Sequence, residues 1–191
     1  MHKGRLEAFS DGVFAIIITI MVLELKVPHG DDLQSLRPLL PSFISYVLSF
    51  VFLGIYWNNH HHMLQASQKV SGGILWANSH LLFWLSLIPF ATNWMGEHEF
   101  SSWPVALYGM ILFCSAIAYS ILARLLVAHH GKDSALAHAM GSDFKGWISL
   151  LIYATAIPLS FYWPLVSYAC YALVSAIWLY PDRRIEKELV K

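Results

Sequence analysis

Apolar residues fill this chain in six long runs, over residues 6–27, 41–63, 74–95, 103–128, 147–162 and 165–180. Short polar or proline-marked breaks separate them. Pro28 stops the first run, Pro41 opens the second and Pro181 follows the sixth, which is ordinary helix punctuation. A membrane helix needs about 20 such residues. The first four runs meet that length, and the last two, parted only by a Trp163-Pro164 turn, fall short of it. Pro89 and Pro158 are expected to kink the helices that contain them. The pattern predicts an all-α integral membrane protein of six transmembrane helices, forming one domain over residues 1–191.

The first run is the most informative. It reads RLEAFSDGVFAIIITIMVLEL over residues 5–25, with no charge between Asp11 and Glu24 and Thr19 as the one polar interruption. Twelve helical residues rise only about 18 Å, whereas a bilayer core is about 30 Å thick. Asp11 and Glu24 must therefore sit at or inside its edges. Ionisable groups at that depth are costly and commonly face protein or a watery path. At about 100° per residue, Gly12, Thr19, Ile20 and Leu23 lie within about 60° of Ile16. Asp11 lies about 140° away, with Ser10 pointing similarly away. From spacing alone, packing within a bundle is the better account of this stripe. Thr19 then bonds back to the Ala15 carbonyl, and for Asp11 an interfacial cap, with Ser10 or Asp11 satisfying the helix start, stands even with a contact to neighbouring helices.

Composition and charge sharpen the topology. The chain of 191 residues is 57% hydrophobic and 13% charged, where a soluble domain carries about 25% charged residues. Its net charge is zero, without a basic tail, so no nucleic-acid partner is implied. With the N-terminus inside, the inner segments hold Lys3, Arg5, Lys69, Arg124, Lys132, Lys145, Arg183, Arg184, Lys187 and Lys191, and the outer ones only Lys26 and Arg37. Such a bias places both termini in the cytoplasm. Trp57, Trp94, Trp103, Trp147, Trp163 and Trp178 fall near segment ends, where an aromatic belt belongs. Lys3 and Arg5 before an apolar run suggest a signal peptide, but Glu7 and Asp11 intrude and no small-residue cleavage site follows, so the first helix is expected to be retained. Cys114 and Cys170 lie in apolar runs and are expected as buried thiols without a disulfide.

Metal chemistry is a weak reading. His60, His61 and His62 are consecutive, so on a helix they point about 100° apart and cannot converge on one ion. His80 has no carboxylate partner at helical spacing, and His129 and His130 can meet the C-terminal dipole of the fourth helix. Asp31, Asp32, Glu97 and Glu99 read as solvated loop charges, whereas Glu24 at a helix end can concentrate cations. Nothing in these groups describes an enzyme. A proton-coupled transporter using Asp11 and His60 as relay groups remains an alternative.

Arg5, Phe9, Ser10 and Asp11 form an R-x-x-x-F-S-D pattern. Together with the following GVFAIIITIMVLEL, it resembles the start of the transmembrane protein 175 family of potassium channels. The resemblance implies one six-helix unit per chain, four such units around a central axis, and a first helix that lines a pore. Its matching positions here are Ile16, Ile20 and Leu23 for the constriction and Thr19 for a polar rung that helps select potassium. It also implies that Arg5, Phe9, Ser10 and Asp11 contact Trp57, His60 and Asn78, with Asp11 an acceptor buried among the first three helices. The expected function is passive, potassium-preferring conduction by a homotetramer in the cell membrane, with permeant potassium ions and no cofactor. A ring of Ile or Leu can form a dewetted neck, and no T-V-G-Y-G filter is present.

Overall fold

The computed structural model describes residues 3–67, 69–131, 137 and 144–179. Lys132, Arg183, Arg184, Lys187, Lys191 and the expected stop at Tyr180 and Pro181 lie outside the described residues. The chain is all helical: α1 (Gly4–Leu23), a 3-10 turn (Leu33–Leu39), α2 (Leu40–Gln65), α3 (Gly72–Ser86), α4 (Ile88–Glu97), α5 (Ser102–His130), α6 (Phe144–Leu159) and α7 (Pro164–Leu179). With α3 and α4 read as one broken rod, these are the six expected helical segments.

The break has a clear cause. The third run was expected to be one kinked helix, but α3 ends at Ser86 and α4 begins at Ile88. Pro89 has no N–H and its ring collides with the carbonyl four residues earlier, at Leu85. Pro158 does not bend the middle of α6, because it falls in the last turn of a helix ending at Leu159. Among the described residues, four rods are long and apolar enough to cross a membrane: Gly4–Leu23, Leu33–Gln65, Gly72–Glu97 and Ser102–His130. The α6 and α7 helices have 16 residues each.

Packing is antiparallel and close. Lys3 Nζ donates to the Leu64 and Gln65 carbonyls at 3.2 and 3.1 Å, placing a cation on the C-terminal end of α2. At the same end, the Lys69 amide donates to His130 Nε2 at 3.3 Å, and His130 Nδ1 lies 2.9 Å from the Leu126 carbonyl oxygen, near the end of α5. At the opposite end, Asp32 caps the 3-10 turn by accepting from the Ser35 amide and hydroxyl, which holds its carboxyl below the ordinary value. The α2 and α4 helices cross where Gly96 meets Ser42: a Cβ at Gly96 would stand 2.5 Å from Ser42 Cα.

Buried hydroxyls join the rods. Ser49 of α2 bonds Thr92 of α4 at 2.6 Å and Tyr108 of α5 at 2.9 Å. In a bilayer such groups must find partners within the protein. Cys114 and Cys170 are free and half-buried, rather than fully buried as expected.

Candidate functional site

The first helix buries one stripe, Leu6, Ser10, Phe14, Ile17 and Met21. These positions recur every three or four residues, the spacing of one helical face. Its opposite face is uncovered within the chain: Ile16 is 58% exposed, Ile20 42% and Leu23 80%, with Thr19 exposed between them. The Thr19 hydroxyl donates to the Ala15 and Ile16 carbonyls, at 3.0 and 2.9 Å. Its proton is committed to the helix, so its oxygen lone pairs are left for the open face. Beside that face runs a groove of about 390 Å³, bounded by Ile16, Ile17 and Ile20 of α1 and by Pro89, Phe90 and Asn93 across the α3–α4 break.

Polar contacts at both ends hold α1. At its start, Ser10 is fully buried; its hydroxyl donates to the Leu6 carbonyl at 2.8 Å and accepts from Asn78 Nδ2 at 3.0 Å. Asn78 Oδ1 lies 2.7 Å from His60 Nε2. The directions follow from one another. A carbonyl can only accept, so the Ser10 hydroxyl donates to Leu6, Asn78 turns its amide nitrogen to Ser10, and its oxygen accepts a hydrogen bond from the His60 Nε2–H. The Phe14 ring stands 5.8 Å from the His60 ring and covers this chain of bonds. Asp11 accepts from Trp57 Nε1 at 3.0 Å. At the far end, Asn93 Nδ2 donates to Glu24 at 3.2 Å, and Lys26 pairs with Glu97.

Several expected site residues are placed differently. Asp11 was expected to be buried among the first three helices, but in this chain it is exposed and reaches only Trp57. Ser10 takes the buried place beside Asn78 and His60, because it lies at the centre of the inward stripe while Asp11 lies on its flank. Phe9 was expected to hold the helix and is instead 59% exposed, on the outward side. Arg5 is exposed, and its side chain makes no hydrogen bond or ion pair among the described residues. The relay imagined between Asp11 and His60 finds these two groups on separate hydrogen bonds. The contacts of Asn93 and Lys26 were not foreseen. The only hint was that Glu24 and Glu97 each stand at a helix end.

The histidine run diverges. His60 turns to Asn78, while His61 stacks on Trp57 at 5.9 Å. Among the described residues no three His, Cys, Asp or Glu side chains come together as a metal site would require.

Residues 5–89 match the family model described as endosomal/lysosomal potassium channel TMEM175. A protein of Chryseobacterium sp. named potassium channel is 57% identical over 189 residues, covering 99% of this chain and 98% of its own. The chain belongs to the TMEM175 family. A Streptomyces collinus protein, also named potassium channel, is 35% identical over 129 residues, 63% of each chain. The crystal structure of a lysosomal potassium-selective channel TMEM175 homolog from Chamaesiphon minutus superposes with a TM-score of 0.79 at 28% identity, covering 94% of this chain and 97% of that one. As a TMEM175 member the chain is a multi-pass, all-helical membrane protein.

Proposed function

We propose that this chain conducts potassium passively, as a homotetramer in which four copies of α1 surround a central path. The observation that carries this reading is the uncovered stripe of α1, with Ile16, Thr19, Ile20 and Leu23 on a helix whose start is held by Ser10, Asn78 and His60. A single helix encloses nothing, so a path along this stripe needs further copies. Ile16, Ile20 and Leu23 form successive apolar rings that keep the path narrow and poorly wetted. Thr19 supplies a rung of hydroxyl oxygens whose protons are already turned onto the helix. Such oxygens replace part of an ion's hydration shell. Potassium gives up water more readily than sodium, so a weak oxygen ring favours it.

The names of the relatives support potassium as the permeant ion, and no cofactor is needed for passive flow. The protein works in the cell membrane with its lipid bilayer as partner and both termini in the cytoplasm, as the asymmetry of lysine and arginine suggests. Planar-bilayer recording of the purified protein, with potassium on one side and sodium on the other, tests the reading. Single-channel steps that reverse toward the potassium equilibrium potential are expected. Uptake without steps, driven by a proton gradient, would replace this reading with a transporter.

A further inference from the structure

Away from α1 lies a second, partly open pocket, between the middle of α5 and the first turns of α6. It is set among α2, α5, α6 and α7, and no residue of α1, α3 or α4 lines it. Its walls carry Tyr56 and Asn59 of α2, Ser120 of α5, Ser149 and Tyr153 of α6 and Trp178 of α7. Ser149 and Trp178 satisfy each other: the indole donates to the hydroxyl at 2.9 Å, and the hydroxyl donates to the Lys145 carbonyl at 2.8 Å. Tyr56, Asn59, Ser120 and Tyr153 have no side-chain hydrogen bond among the described residues. Tyr153 is only 2% exposed. Four groups able to donate and accept thus open on one small space. Polar groups in such a pocket need partners, from the protein or from ordered water.

We propose that this cavity is a hydration site, holding a small cluster of ordered waters that bridge Tyr56, Asn59, Ser120 and Tyr153. Size selects the occupant. About 40 Å³ is open to the centres of water molecules, and one buried water needs about 10–15 Å³ on that measure. Two to four waters fit, on the order of one for each unmet side chain, and a lipid tail does not. Charge excludes an ion, since none of the lining side chains carries one. The site is also separate from the proposed ion path. Yet it shares α2 with that path: Tyr56 and Asn59 face the cavity, while Trp57 and His60, next in sequence, hold α1. The waters therefore brace the helix that positions the conducting one, without touching permeant ions.

A structure of the full chain at a resolution that shows ordered solvent is the direct test. Peaks within hydrogen-bond reach of the Tyr153 hydroxyl and the Asn59 amide are expected. An empty cavity at a resolution where other buried waters are visible, or elongated density of an acyl chain, overturns the proposal. Crystals pressurised with xenon add an independent reading, because dry apolar cavities take up xenon and hydrated polar ones do not. Xenon density between Asn59 and Tyr153 overturns it. Tyr153→Phe and Ser120→Ala, each removing one hydroxyl, should lower the melting temperature of the detergent-solubilised protein by a few degrees while leaving the potassium–sodium reversal potential unchanged. A gain in melting temperature in both variants would mean that the hydroxyls were unmet and the cavity dry.

Discussion

Ser10 and Asp11 are neighbours in the chain but have different roles, and the difference can be measured. Ser10 is fully buried and is the acceptor for Asn78. Removing its hydroxyl strands an amide that in turn orients His60. An unmet buried neutral group costs about 1–3 kcal/mol. Asp11 is exposed in the chain and loses only the Trp57 contact, which water can replace at an exposed site. Ser10→Ala should therefore lower thermal stability in detergent more than Asp11→Ala. Ser10→Ala combined with Asn78→Ala should cost less than the two singly, since they share one network. Melting curves of the four variants decide this, and the reverse order for Ser10 and Asp11 would remove Ser10 from the centre of the site. Thr19→Val tests the other polar residue of α1. It keeps the shape and removes the oxygen, so the reversal potential between potassium and sodium should move toward zero with little change in yield. At this scale the sequence was partly legible. The group of Ser10, Asp11, Trp57, His60 and Asn78 was named from the family pattern, and charge drew attention to Asp11. The signal that could have placed Ser10 inward was the spacing of Leu6, Ser10, Phe14, Ile17 and Met21, one face with a single small polar member.

Helix starts were legible where proline or an abrupt change of hydropathy marked them, whereas α1, expected to run to Val27 before Pro28, already ends at Leu23. The starts of α2 and α5 fall within one residue of the expected positions, Pro41 and Trp103. The third run was harder, because periodicity cannot tell a kinked helix from two helices joined at a proline. The Ser49, Thr92 and Tyr108 cluster was not legible at all, since three isolated hydroxyls on three helices carry no shared pattern. For α1, the outward stripe was legible as a stripe, but only the structure leaves it uncovered by the rest of the chain. Polar substitution on this face distinguishes a neck from a lipid-facing surface. Ile16→Asn or Leu23→Asn should raise single-channel conductance, because a polar ring wets a dewetted constriction. A lipid-facing position would give the opposite signature, poorer insertion or yield with unchanged current. Equal conductance in both variants at matched expression would take these residues off the path.

For the whole molecule, composition foretold a multi-pass membrane protein: halving the usual charged fraction leaves little choice for 191 residues. Assembly is a different matter, because in a bilayer an exposed apolar side chain is as content against lipid as against another subunit. Exposure alone therefore does not separate an axis from a lipid surface. Leu23 on α1 and Trp76 on α3 make the point, each being 80% exposed in the single chain. If four copies of α1 surround an axis, the two positions have opposite fates. Leu23 residues from different copies face one another across a narrow path, while Trp76 residues stand apart in lipid. With the half-buried Cys114 and Cys170 replaced by Ser, Leu23→Cys should form inter-chain disulfides readily in membranes under mild oxidant, and Trp76→Cys should not. The solubilised protein should show the native mass of four chains, falling to one only when detergent conditions abolish conduction. Comparable cross-linking at both positions would mean random collision in the membrane. Cross-linking at Trp76 alone would put α3 at the interface, and with it the groove between α1 and Phe90 rather than the stripe of Ile16 and Leu23 would have to be the face that another copy covers.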